Sequence, residues 1–137
     1  MTGETNLNNL LATMRPRLVE GTYVFVTAAA GKALPGGLDP MMTFREAEGL
    51  TAILDADAAE RAGLAGSFRS RMITLDVHSS LAAVGFLAAI TACLAGAGMG
   101  VNPVSAFYHD HLFVPEDRAE EAMHLLAQLA GDAQAES

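Results

Sequence analysis

Residues 71–130, "RMITLDVHSSLAAVGFLAAITACLAGAGMGVNPVSAFYHDHLFVPEDRAEEAMHLLAQLA", decide the fold. "RMITLDV" alternates apolar and polar side chains and reads as a strand. Ser79 and Ser80 are good N-caps for an apolar helix predicted over 81–97, which Gly98 and Gly100 end. "VNPVSAFY" and "HLFVP" make a hairpin, with His109 and Asp110 at its turn. "EDRAEEAMHLLAQLA" is an amphipathic helix with acidic residues in its first turn. Strand, helix, strand, strand, helix is most of a βαββαβ unit of ferredoxin-like, α+β type.

The unit lacks its last strand. The tail "GDAQAES" is polar, short and poor in β-formers, and reads as frayed. Either "GSFRSRMITLDV" serves two repeats, or the N-terminal "LVEGTYVFVTA" crosses over to fill the gap. In the first half, "NLNNLLATMRP" is a short helix stopped by Pro16. "GTYVFVTAAA" is a strand, "GKALPGGLDP" is loop chemistry, and "DADAAERAGL" is a helix with Asp55 as N-cap and Gly63 near its end. "MMTFREAEGLTAIL" admits two readings: a short helix capped by Asp39 and Pro40, or two strands joined at Ala47-Glu48-Gly49. "TAILDADAAERA" (51–62) aligns without gaps on "HLFVPEDRAEEA" (111–122), sharing Asp57/Asp117, Ala59/Ala119, Glu60/Glu120 and Ala62/Ala122. That echo favours the hairpin. The expected organisation is two repeats, 1–66 and 67–137, the first with a shortened crossover in "AAGKALPGGLDP". Free sheet edges would be liabilities unless paired, so a homodimer through sheet edges or the helical face is expected.

Composition narrows the partners. Apolar residues reach 51%, enough for a sizeable core. Eight basic residues stand scattered against sixteen acidic ones, for a net charge of −8. A phosphate-tracking surface is not expected, so nucleic acid and anionic membranes are poor partners. "LAAVGFLAAITACLAGAGM" has the length of a membrane span. It is rich in Ala and Gly and has no Lys/Arg flank, so a protein-covered helix explains it better. "MTGETNLNNLLATMRP" shows no secretory signal, and the lone Cys93 fits a reducing cytoplasm.

The stretch from Ile73 to Val114 resembles the ACT domain, the small ligand-binding module of amino-acid-regulated enzymes. The resemblance rests on Val77-His78-Ser79-Ser80 after the first strand, the Ala97-Gly98-Met99 step ending the helix, Asn102 opening the next strand, and the hairpin from Ser105 to Val114. With "GLDPMMTFREAEGLT" and "HSSLAAVGF", the chain is similar to bacterial stand-alone tandem ACT-like proteins and to the regulatory region of aspartate kinases. The resemblance implies two repeats and ligand binding, and supplies no known reaction. The Pro-Gly usual in the turn after the first strand is here Ser79-Ser80.

The expected ligand site lies at the start of the predicted helix. There the backbone N–H groups of Leu81, Ala82 and Ala83 have no partner one turn back and favour a carboxylate. His78, Ser79 and Ser80 flank them, and Val84 and Gly85 leave room for close approach. The facing edge strand, Asn102, Val104, Ser105, Ala106 and Phe107, offers carbonyls to an amino group. His109, Asp110 and His111 are ligand contacts at the hairpin tip. In a ferredoxin-like sheet His78 approaches His111, and three histidines would suit a transition metal. The turn chemistry of His109 and Asp110 argues against this, so no metal and no cofactor are assigned. Asp76, His78 and the two serines do not make a catalytic set, because the serines are better explained as caps. "GAGMG" (96–100) follows a helix and not a strand, so it is a terminator and not a dinucleotide fingerprint. Lys32 in "GKALPGG" lacks P-loop spacing, although it could meet an anion. The resulting expectation is a non-catalytic protein that binds an amino acid or similar small metabolite and acts on a partner enzyme or through self-association. An assembly module without ligand is the rival, and a small metal-dependent or hydrolytic enzyme ranks third.

Overall fold

The computed structural model describes Gly3 and residues 5–136. In chain order the elements are α1 (Leu7–Thr13), β1 (Arg15–Leu18), β2 (Tyr23–Ala29), β3 (Met42–Arg45), β4 (Gly49–Asp55) and α2 (Ala56–Arg61). There follow β5 (Ser67–Asp76), α3 (Phe86–Ala95), β6 (Asn102–Ser105), β7 (Asp110–Pro115), a 3-10 turn (Glu116–Arg118) and α4 (Ala119–Ala135). They form two compact units, Glu20–Arg71 and Met1–Val19 with Met72–Ser137.

In the Glu20–Arg71 unit the strand order is β3-β4-β2-β5, all pairs antiparallel. "MTFRE" and "LTAIL" are indeed two strands, closed by Glu46 N–H to Gly49 O (2.9 Å) and its reciprocal (3.2 Å). Alternation puts Val24, Val26, Ala52 and Leu54 on one face, where Ala56 and Ala59 of α2 cover them. Asp55 caps α2 by accepting from Ala58 N–H at 3.0 Å. No helix joins β2 to β3; Leu34 and Leu38 of the connecting loop pack on the cluster instead. The crossover is shortened, and two leucines do the covering that a helix face would otherwise do.

In the other unit the order is β6-β7-β5-β1. The missing fourth strand is β1, paired antiparallel to the end of β5 with Arg15 opposite Asp76 and Leu18 opposite Ile73. The start of β5 pairs with β2 through Tyr23/Ser70 and Phe25/Ser67. One strand therefore serves both units, and an N-terminal strand completes the second. The completing segment is "RPRL", which meets the expected "LVEGTYVFVTA" only at Leu18; most of that stretch belongs to β2. The core gathers Leu10 and Met14 with Ile73, Leu75, Phe86, Ile90, Leu94, Leu112, Val114 and Leu126.

Two expectations need correction. The long helix begins at Phe86, not residue 81. The tail is not frayed: α4 runs to Ala135, Ala133 is buried, and Gln134 Nε2 donates to Ala12 O at 2.8 Å. Ser137 lies outside the described residues.

Candidate functional site

The chain leaving β5 forms a loop over 77–85. Ser80 Oγ accepts from Ala82 N–H at 3.0 Å and Ala83 N–H donates to Ser80 O at 3.0 Å, so this serine holds a tight turn and caps no helix. The N-cap of α3 is Gly85, in the left-handed region at φ 91° and with no side-chain cap bond. The first-turn donors therefore belong to Phe86, Leu87 and Ala88, and not to Leu81, Ala82 and Ala83. The residue type at Gly85 follows from its conformation, and a Cβ there would also stand 3.5 Å from Leu7 Cδ2. Gly3 packs closer still: a Cβ on it would fall 2.5 Å from the Ser79 carbonyl carbon.

This loop, the start of α3 and the β6–β7 hairpin enclose a cleft of about 150 Å3. Ser79, Ser80, Leu81, Ala83, Ser105, Ala106 and Asp110 line it, together with Phe86 and Leu87. Asp110 is only 9% exposed, and its Oδ1 accepts from Ser105 Oγ at 2.5 Å. The cleft thus sets a buried carboxylate against the open end of a helix. The remaining expected residues lie outside the lining. Ala82 is in the turn, Val84 is 83% exposed beside Gly85, and Phe107 stands out at the hairpin tip. Asn102 and Val104 sit on β6 opposite Phe113 and His111. Phe86 and Leu87 were missed because the helix start was placed too early; Gly85, an acceptable N-cap type, was the available signal.

The three histidines do not meet at one point: His109 and His111 pack edge to face at 6.4 Å, while His78 makes other contacts. His111 Nδ1 is 2.9 Å from Thr74 Oγ1, and the His78 ring stacks obliquely on Tyr108 at 6.3 Å. The expected approach of His78 to His111 is replaced by these contacts. His109 Nδ1 lies 3.2 Å from Val77 O, and its Nε2 is 3.7 Å from Asp76 Oδ1. Among the described residues no group of three or more His, Cys, Asp or Glu could hold a metal ion. Burial pushes the His111 imidazole below its ordinary value; His109 and Arg17 add to the fall and Asp110 opposes it. The hairpin turn is Phe107-Tyr108, closed by Ala106 N–H to His109 O at 3.0 Å, and Asp110 already belongs to β7. Burial raises the Cys93 thiol, which faces Leu125 O, and His124 is exposed on α4. Among the described residues no helix is long and apolar enough to cross a membrane.

Two antiparallel ferredoxin-like units that share a strand, one with a small polar-and-apolar cleft beside its hairpin, define a class of paired α+β modules. Residues 2–71 match the ACT domain, and residues 67–128 match it again. The chain belongs to the ACT-domain family and carries two such domains in tandem. It is similar to a Vibrio cholerae protein of unknown function, described as a possible transport protein, at 43% identity and a TM-score of 0.82, covering 90% of this chain and 95% of that one. A protein from Agrobacterium tumefaciens is 20% identical, with a TM-score of 0.74 over 85% of this chain and 89% of that one. The regulatory subunit of aspartate kinase from Thermus thermophilus shares the fold at 13% identity, with a TM-score of 0.65 over 87% of this chain and 97% of that one. No curated protein matches the sequence significantly.

Proposed function

We propose that this chain is a cytoplasmic, non-catalytic regulatory protein that binds a small amino acid in the cleft between the 77–85 loop and the β6–β7 hairpin. The observation that carries the reading is the pairing of Asp110 with the start of α3 along one cleft. Asp110 and the carbonyls near it take an ammonium group. The Phe86 and Leu87 N–H groups, with the helix dipole behind them, take a carboxylate. Those are the two charges of a free α-amino acid. Size restricts the side chain: at about 30 Å3 per water the cleft has room for about five water-sized groups, so amino acids with small side chains, such as alanine, serine and threonine, are the candidates. Family membership and the aspartate kinase regulatory subunit among the fold relatives support a regulatory role. The proposed repeats are 1–66 and 67–137, and the bound state would act on a partner enzyme or through a homodimer. Leu81, Val84, Phe107 and Tyr108, all exposed, give that dimer an apolar surface at the cleft rim.

A thermal-shift screen of the amino acids tests the proposal. One-site binding at 100 times the dissociation constant adds about 2.7 kcal/mol of stability. Stabilisation confined to small amino acids is expected; no shift with any amino acid would leave the assembly reading in its place.

A further inference from the structure

The register that aligns 51–62 with 111–122 continues backwards into both hairpins. Met42–Arg45 (β3) falls on Asn102–Ser105 (β6), end for end. Arg45, Glu46 and Leu50 thereby correspond to Ser105, Ala106 and Asp110, three residues of the cleft described above. The same three line a second cleft, of about 400 Å3, wholly within the Glu20–Arg71 unit. Its other wall is the chain leaving β2, from Ala29 to Ala33, just as the wall of the first cleft is the chain leaving β5. Two clefts therefore occupy equivalent places in two repeats.

Their electrostatics are opposite. Apolar Leu50 stands where Asp110 supplies a carboxylate, Arg45 stands where Ser105 supplies a hydroxyl, and Lys32 adds an ammonium group to the rim. The one acid in the lining, Glu46, accepts from the Thr51 hydroxyl and keeps its charge, so the lining carries two positive charges against one negative. Lys32 is the only lysine in the sequence, in a chain with just eight cationic side chains and a net charge of −8. Neither Lys32 nor Arg45 makes an ion pair among the described residues. Two cations of an acidic protein facing one concavity create a local positive field that draws an anion in. The guanidinium offers a planar fork to an oxyanion and the ammonium a point charge. The cleft volume lies in the range of small-metabolite sites.

We infer that this second cleft binds a small oxyanion-bearing metabolite, its carboxylate or phosphate group held between Lys32 and Arg45. The protein then reads two chemically different ligands through two equivalent sites. This inference rests on residues separate from those of the amino-acid site.

The single lysine makes the test clean. Lys32 of the intact protein is acylated with an amine-selective reagent, and its modification rate is read by peptide mass spectrometry. Inorganic phosphate, L-aspartate and chloride are compared at matched ionic strength. Occupancy by phosphate or L-aspartate at twice its dissociation constant slows Lys32 acylation about three-fold relative to chloride. Protection by phosphate alone identifies a phosphoryl ligand, and protection by L-aspartate alone a carboxylate. Arg45→Gln, on an exposed strand end, removes the protection while the far-ultraviolet circular dichroism stays unchanged. Asp110→Asn leaves the protection intact, which separates this site from the amino-acid site. Equal rates in all three salts, or full protection surviving in Arg45→Gln, overturns the inference.

Discussion

At the residue scale, much follows from how a few polar side chains are satisfied. Thr74 is buried and contacts His111, so protonating that imidazole disturbs both groups. The folded pKa of His111 is depressed, so its stabilising effect is present above the ordinary imidazole value near 6.5 and fades as pH falls through the lower folded value. Wild type should therefore lose stability between about pH 7 and pH 5 faster than His111→Gln does. Urea denaturation across that window checks this, and parallel curves would contradict it. Ser80 makes a second case. Asp can accept the Ala82 N–H as Ser80 does, so Ser80→Asp should fold normally. It places a negative charge on the cleft wall, and amino-acid affinity should fall ten-fold or more, about 1.4 kcal/mol. Asp110 and Ser105 were visible in the sequence as polar hairpin residues. Their hydrogen bond to each other was not, because it depends on where the turn falls, and Phe107-Tyr108 took the turn.

At the scale of elements, β2, β5, β6, β7 and α2 were legible because alternation and caps mark them sharply, and the β3–β4 hairpin was one of two open readings. The start of α3 was not. The run from Leu81 to Ala97 is almost uniformly apolar, so it has no polar face to show where helix begins. The positive φ of Gly85, a conformation no pattern reveals, decides the matter. The end of α4 was legible but misread: Ala122, Leu126, Ala130 and Ala133 keep helical spacing into the polar tail, and all four are buried. The helix α1 gives the sharpest energetic test. Leu10 is fully buried in the core formed with residues 73–130. Leu10→Ala should cost about 3 kcal/mol, the usual cost of truncating a core leucine. A loss under about 1 kcal/mol in chemical denaturation would show that α1 does not belong to that core.

At the scale of the whole molecule, the sequence division into 1–66 and 67–137 differs from the division of contacts. An N-terminal helix and strand belong with the C-terminal unit, and β5 belongs to both. The need for a borrowed strand was legible from the strand count; which segment lends it was not, since "RPRL" is too short and too polar to announce itself. A fragment of residues 67–137 lacks α1 and β1, so it should lack cooperative unfolding on its own. Adding a peptide of residues 5–19 should restore it; a fragment that folds unaided would contradict the shared architecture. The central functional claim is that Asp110 and the start of α3 recognise the two charges of a small amino acid. Isothermal titration of L-alanine, L-serine and L-threonine into wild type and Asp110→Asn tests it most directly. The account predicts saturable binding of at least one of them to wild type, weakened about 30-fold in Asp110→Asn, the roughly 2 kcal/mol of a charge-assisted hydrogen bond. Absence of binding by all three, or undiminished binding by Asp110→Asn, would contradict it.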